Sequence, residues 1–594
     1  MAALTPAIVT FSRAGAHVAR MTGHELHGLR GRVEAADVTF DDAMEHIAAL
    51  FAAGRPVIGI CAAGILIRAV APLLADKRAE PPVIAVSEDG ASVVPLLGGH
   101  RGANRLAREI ATLFGTKPAI TTAGDTVLGI ALDEPPDGWC LANPQDAKAA
   151  MATVLREGGA QRRGDLWPMP DLARCGSVTL EASLGPVGGG PDHLVYHPRT
   201  AIVGVGCARG CDADELQALF EQCLDEAGIA PGAIAAIATV DIKADEPAIR
   251  SLAARHALPL RLFTAAELEA LTPRLANPSD IVFAEVGCHG VAEAAALAAA
   301  GERSALHLEK RKTNAATCAI ALAPEPVTAM RGRSPGSVSL VGIGPGQAAW
   351  RTPEASRILA SADEIVGYGL YLDLVGGLCR GKPQHRFPLG EETERCRFAL
   401  ERAGEGLDIA LVCSGDAGIY AMGALVHELL DRGDELSDAA RRVDIVTAPG
   451  ISALQAAAAR SGAPLGHDFC AISLSDLMTP WPTIERRVRA AAEGDFVIAF
   501  YNPVSMRRRT QLARATEILL EHREAETPVL LASSLGRPDE TIRFRTLGAL
   551  AVDEVDMLTV VIVGSTQSRI YRRGTGPAFY TPRGYGDRHR EEQA

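Results

Sequence analysis

Short apolar runs bounded by glycine, proline, serine or asparagine recur along this chain and predict buried strands, with helix-period stretches between them. Pro56-Val57-Ile58-Gly59-Ile60-Cys61 reads as one such strand and Arg105 to Leu113 as a helix. Thr200-Ala201-Ile202-Val203-Gly204-Val205-Gly206 reads as another strand, and the apolar stretch Ala292 to Ala300 as a small-residue helix face. Val338 to Gly342 predicts a buried strand that runs into the loop Ile343-Gly344-Pro345-Gly346. From Ser337 onward the alternation is clean. Thr352-Pro353-Glu354 predicts a helix start, with a hydroxyl at the N-cap and proline in the first turn. Further strands are predicted at Glu364 to Tyr368, Ile409 to Cys413, Asp444 to Thr447, Phe496 to Tyr501, Val529 to Ala532 and Leu558 to Val563. Between Glu157 and Pro198 glycine, proline and arginine interrupt every apolar run, which predicts a loop-rich connector or a poorly packed subdomain.

The pattern predicts a multidomain α/β protein, because 594 residues exceed what one core normally organises. The expected divisions are an α/β unit over 1–125, a loop-rich middle over 126–198 and a second α/β unit over 199–328. A short polar linker over 329–336, an α/β unit over 337–575 and a polar tail over 576–594 complete the chain. Hydrophobic residues make up 47% and aromatic residues 4%, which suits packed strands and helices and excludes general disorder. A formal net charge of −13 argues against a nucleic-acid surface, though local arginines remain available to an anionic small molecule. No run approaches the roughly 20 apolar residues of a membrane span, and Met1 to Thr10 lacks the pattern of a signal peptide. Twelve scattered cysteines fit reduced thiols, so a cytoplasmic location is expected. Cys207 with Cys211, and Cys288 beside His289, lack a matching downstream ligand pair, so no metal site is expected.

Gly342-x-Gly344 after a strand also opens dinucleotide folds, but the third glycine of that fingerprint falls at Gln347 and Pro345 stiffens the turn. The loop gains meaning from Ser414-Gly415-Asp416-Ala417-Gly418-Ile419-Tyr420, Ala448-Pro449-Gly450-Ile451-Ser452-Ala453 and Tyr501-Asn502-Pro503. In this order the blocks resemble the S-adenosylmethionine-dependent tetrapyrrole methyltransferase family. Gly367 to Tyr371 and the stretch Gly462 to Trp481 are similar to its precorrin-3B C17-methyltransferase branch. The resemblance implies a two-lobed fold with S-adenosyl-L-methionine in the cleft and a tetrapyrrole alongside. It implies that Pro345, Ser414, Gly415, Asp416, Ile419, Ser452, Ala453, Asn502, Leu535 and Thr559 line the cofactor pocket. Ala417 stands where many relatives have proline, and Asn502 replaces a common methionine. Methyl transfer to an electron-rich ring needs alignment more than a strong base, whereas ring contraction requires proton movements. His467, Asp468 and Asp476 are the candidates for those, with caps or surface groups as the bland alternative. Arg507, Arg508 and Arg509 are candidate hooks for substrate carboxylates, because arginine at a helix start opposes the macrodipole; a solvated helix start is the alternative.

The first half resembles the cobalamin biosynthesis protein CbiG family, through Cys61 to Arg78, Leu96 to Ala107 and Thr121 to Asp125. The resemblance continues through Gly204 to Cys207, Ile237 to Pro247 and Val286 to Glu293. It implies opening of the ring-A lactone of cobalt-precorrin-5A with release of acetaldehyde. His100 is a candidate base there, and Lys243 and Glu246 candidates for binding or polarising substrate, against a loop-bound histidine and a surface pair. The alternative is a noncatalytic tetrapyrrole-binding or channelling module. Fusion raises the local concentration of the next site under either reading. A homodimer and other corrin-pathway enzymes are the partners the resemblance implies.

Overall fold

The computed structural model describes residues 5–585 apart from 75–79, 100–101, 122–130, 170–171, 380–381, 434, 506–507 and 575. His100, Arg507 and the segment Thr122 to Asp125 therefore lie outside the described residues.

The first sheet is built from β1 (Ala7–Thr10), β2 (Glu25–Leu29), β3 (Val38–Phe40), β4 (Val57–Ile60), β5 (Val83–Val86) and β6 (Val93–Leu97). Its order is β3-β2-β1-β4-β5-β6, parallel except for the last pair. β1, β4 and β5 are buried along their whole length, which is why they read as unbroken apolar runs.

The stretch expected to be loop-rich carries most of a second sheet. β7 (Trp139–Leu141), β8 (Gln161–Arg163), β9 (Thr179–Ala182) and β10 (His193–Pro198) pair in the order β7-β10-β9-β8. Its core gathers Met169, Leu172, Leu180, Leu194 and Tyr196, whose hydroxyl donates to the Leu132 carbonyl at 2.7 Å. The strands are three to six residues long and separated by glycine turns, so none forms an apolar run that stands out in sequence.

A third sheet comprises β11 (Ala201–Cys207), β12 (Ile234–Val240), β13 (Leu260–Phe263), β14 (Ala305–Lys312) and β15 (Ala316–Leu322), ordered β13-β12-β11-β15-β14. The helix Ala292–Ala300 lies directly on β11: a Cβ added at Gly204 would sit 1.9 Å from the Ala292 carbonyl oxygen. Small residues on both elements permit that approach. Residues of the expected short polar linker are stitched to the edge of this sheet. Leu262 N and Arg333 N donate to each other's carbonyl oxygens at 2.8 and 3.0 Å, and Arg261 donates to the carbonyls of Arg331 and Gly332. An edge strand offers unpaired backbone groups, and the linker takes them.

The remaining chain forms two main sheets. β16 (Ser337–Gly342), β17 (Glu364–Tyr368), β18 (Gln384–Phe387), β19 (Asp408–Cys413) and β20 (Asp444–Ala448) are all parallel, in the order β18-β17-β19-β16-β20. After β21 (Gly462–Ala463) come β22 (Phe469–Ser473), β23 (Val497–Tyr501), β24 (Pro528–Ser533), β25 (Thr541–Thr546) and β26 (Thr559–Val563), a mixed sheet ordered β22-β23-β26-β24-β25. β27 (Arg569–Arg573) and β28 (Gly576–Tyr580) join β21 in a small sheet. Thr352 caps the helix Pro353–Ser361 by accepting from Ala355 N.

Candidate functional site

Three loops at the carboxyl ends of β16, β19 and β20 touch through glycine backbone. Gly344 N donates to the Gly415 carbonyl at 3.1 Å, and Gly415 N returns a bond to Gly344 at 2.9 Å. A Cβ at Gly450 would meet the Gly415 oxygen at 2.1 Å, and one at Gly342 at 2.7 Å. Asp416 locks the cluster: its carboxylate accepts from Gly418 N at 2.8 Å and from Gly450 N at 3.0 Å. The glycines are needed for loop-to-loop approach as well as for turning the chain.

The mixed sheet of β22 to β26 supplies the opposite wall. Ser452 starts the helix Ala453–Ser461 in a reciprocal capping box with Gln455, and the Tyr501 hydroxyl accepts from Leu454 N at 3.0 Å. The Tyr420 ring lies 5.2 Å from that of Tyr501, and its hydroxyl donates to the Ala471 carbonyl. Burial pushes the phenols of Tyr371, Tyr420 and Tyr501 above their ordinary values, so each stays neutral. Tyr420, Asn502 and Ser534 hold left-handed backbone, with φ of 52°, 48° and 50°. Such conformations cost free energy and gather where surrounding structure enforces a functional geometry.

These elements enclose one cavity at the carboxyl ends of strands from both sheets, where open α/β sheets bind ligands. Pro345, Ser414, Gly415, Asp416, Ile419, Ser452, Ala453, Asn502, Leu535 and Thr559 all line it. Sequence reasoning missed Arg537 and Ser534 as wall residues. It quoted Tyr371, Tyr420 and Tyr501 within motifs without giving them a role. Arg537 has a signal in retrospect: it lies just past the end of β24, in a small-residue loop like those that flank the other wall residues.

The other candidates lie elsewhere. Arg508 turns inward, donating to Ser475 Oγ at 2.9 Å and to the Asn502 carbonyl at 2.9 Å, with Asp476 at 3.7 Å. It thereby braces the Asn502 turn. Arg509 pairs with Asp553 at 2.8 Å. Asp476 accepts from Gln511, while His467 and Asp468 contact each other at 3.1 Å, Asp468 in the open. Beyond β12, at the start of the helix Pro247–Arg255, Glu246 is fully buried, accepting from Gly210 N at 3.0 Å with Lys243 at 3.4 Å and Arg209 at 3.5 Å. Beside it burial pushes the Cys207 thiol up to about 12. His289 is held by Glu269 at 2.9 Å.

Three families match this chain: Cobalamin synthesis G N-terminal over residues 45–125, Cobalamin synthesis G C-terminus over 201–321, and Tetrapyrrole (Corrin/Porphyrin) Methylases over 337–551. A precorrin-3B C(17)-methyltransferase from Sinorhizobium sp. is 44% identical over 254 residues, covering 42% of this chain and 97% of that protein. A probable cobalt-factor III C(17)-methyltransferase from Salmonella typhimurium is 45% identical over 248 residues, covering 42% and 99%. Among solved structures, the methyltransferase CobJ matches 42% of this chain and 100% of its own at 41% identity and a TM-score of 0.39. CobE, a protein from the cobalamin biosynthetic pathway, matches 21% and 91% at 42% identity and a TM-score of 0.20. Among the described residues no helix is long and apolar enough to cross a membrane.

Proposed function

This chain belongs to the tetrapyrrole (corrin/porphyrin) methylase family, and on that premise we propose that residues 337–575 methylate C17 of precorrin-3B or its cobalt counterpart and contract the macrocycle. Both the Sinorhizobium and Salmonella relatives carry C17-methyltransferase names, and the likeness spans nearly all of each. The supporting observation in the fold is a single cavity walled by strand-end loops from two sheets.

S-adenosyl-L-methionine, when bound, supplies an electrophilic methyl group. The wall suits it. Gly415, Ser452 and Ala453 let backbone come close, while Ile419, Leu535, Met557 and Val560 offer apolar contact that excludes water. Asp416 spends its carboxylate on loop amides and the phenols stay neutral, so the wall aligns reactants without supplying a strong base. For the proton transfers of contraction we favour Asp476 over His467 and Asp468, because Arg508 links it to the Asn502 wall.

For residues 1–328 the family resemblance supports lactone opening of cobalt-precorrin-5A with loss of acetaldehyde. One observation favours the second reading, a noncatalytic tetrapyrrole-binding or channelling module. The Glu246 carboxylate is fully buried and ion-paired with Lys243 and Arg209, so the two candidates for binding or polarising a substrate are turned towards each other.

Incubating the whole protein with S-adenosyl-L-methionine and a trimethylated precorrin, metal-free or cobalt-bound, is expected to add the mass of one methyl group. No added methyl on either macrocycle would sink the methyltransferase reading. Supplying the C11-methylated product then separates the first-half readings, since only a hydrolase releases acetaldehyde.

A further inference from the structure

We infer that Arg537, with Tyr371 on the same cavity wall, is the docking point for a ligand carboxylate, an inference that rests on the methyltransferase reading. The wall carries two charged side chains, Asp416 and Arg537. Asp416 is consumed by two backbone amides. Among the described residues the Arg537 guanidinium has no hydrogen bond or ion pair, and Tyr371 has no hydrogen-bond partner for its hydroxyl.

That solitude is built into the loop. Asp539 and Glu540 follow within three residues, near enough in sequence to neutralise Arg537, yet both are drawn away. Asp539 accepts from Ser534 Oγ at 2.7 Å. Glu540 accepts from Gly536 N at 2.6 Å and from Arg460 at 2.7 Å, and Arg460 in turn stacks 4.5 Å over the Trp350 ring. Ser534 and Gly536 hold left-handed backbone, and Arg537 N is tied to the Ser534 carbonyl at 3.0 Å. The turn is therefore set before any ligand arrives, with its acids occupied by Ser534, Gly536 and Arg460 and its cation on the cavity wall. In a chain with 72 acidic residues against 59 lysines and arginines, an unpaired cavity arginine is conspicuous. A planar guanidinium presents a donor pair that a carboxylate accepts bidentately, and the Tyr371 hydroxyl on the same wall adds a further donor. The Arg537 charge acts on Tyr371, opposing the upward push of burial on its phenol, so the two groups share one region of the wall.

Two ligands bring carboxylates: the amino-acid tail of the methyl donor and the acid side chains of the macrocycle. Calorimetric titration of the whole protein, its Arg537→Gln and Arg537→Lys variants and Tyr371→Phe distinguishes them. The probes are S-adenosylhomocysteine, methylthioadenosine, which lacks the carboxylate, and the trimethylated precorrin. If the donor tail docks here, Arg537→Gln weakens S-adenosylhomocysteine by roughly tenfold or more and leaves methylthioadenosine within about twofold. If a macrocycle acid docks here, S-adenosylhomocysteine is unchanged and the precorrin weakens by the same factor. In either case Arg537→Lys recovers part of the loss, and Tyr371→Phe loses roughly threefold on the same ligand. Wild-type protein that binds its ligands, with Arg537→Gln binding all of them within about twofold, overturns the assignment alone. Wild-type protein that binds neither S-adenosylhomocysteine nor precorrin overturns the methyltransferase reading with it.

Discussion

Asp416 shows how one side chain holds a site together without touching chemistry. Each carboxylate oxygen satisfies a backbone amide from a different loop, so Asp416→Asn replaces one acceptor with a donor facing a donor. We expect a loss of about 1–3 kcal/mol in urea unfolding, with weakened S-adenosylhomocysteine binding. An unchanged unfolding midpoint would show that the loops hold each other without it. Asn502 combines two roles, a left-handed turn and a side-chain bond to Ser473 Oγ at 3.1 Å. A β-branched residue there is expected to cost about 1–3 kcal/mol by the same measurement, and glycine less. The three consecutive arginines illustrate the limit of reading residues in isolation. Their opposition to a helix dipole suggested a ligand, yet Arg508 and Arg509 find Ser475, the Asn502 carbonyl and Asp553, groups from 6 to 44 positions away. Spacing along the chain carries no trace of such meetings.

At the level of elements, most strands were legible because burial on both faces leaves unbroken apolar runs. β4, β11, β17 and β19 fall within a residue of their expected positions. β7 to β10 were not, since short strands broken by glycine gain their cohesion from cross-strand neighbours such as Tyr196 and Leu180. The Ala292–Ala300 helix was legible as small-sided, but its reason lay in β11. Gly204→Val would drive a side chain into the helix backbone and is expected to destabilise this unit by about 3 kcal/mol. A urea midpoint equal to wild type would refute that contact. β2 and the helix Ala43–Ala52 carry a second dependence. His46 sits 2.7 Å from His27 and stacks on Phe40, and burial lowers its pKa to about 3, with His27 and Arg55 adding in the same direction. Below its ordinary value near 6.5 the unfolded chain takes a proton that the native state refuses. Stability is therefore full above that value and declines as pH falls towards about 3. We expect the urea midpoint of the first unit to drop between about pH 7 and about pH 5, and His46→Gln to remove much of that drop. An equally steep profile in the variant would place the dependence elsewhere.

Across the whole molecule, contacts cross every junction near the methyltransferase sheets. Ala53 of the first unit shares an apolar cluster with Leu359, Val375 and Cys379. Arg250, on the helix Pro247–Arg255 between β12 and β13, pairs with Asp444 at the start of β20, and Arg333 donates to the Gly404 carbonyl at 3.0 Å while approaching Asp241 at 3.7 Å. Units joined this way are expected to unfold together. Replacing Arg261 and Arg333 by glutamine is expected to split the calorimetric transition into two, and a single unshifted transition would show that apolar contacts alone couple the units. On the proposed function, the stitched segment Arg331–Ser334 bears on how a macrocycle would pass between the two halves. A slack tether lets one mouth swing to the other. A slack hinge is absent here, so a macrocycle passing between the halves would have to travel by its own diffusion rather than by a swing of the chain.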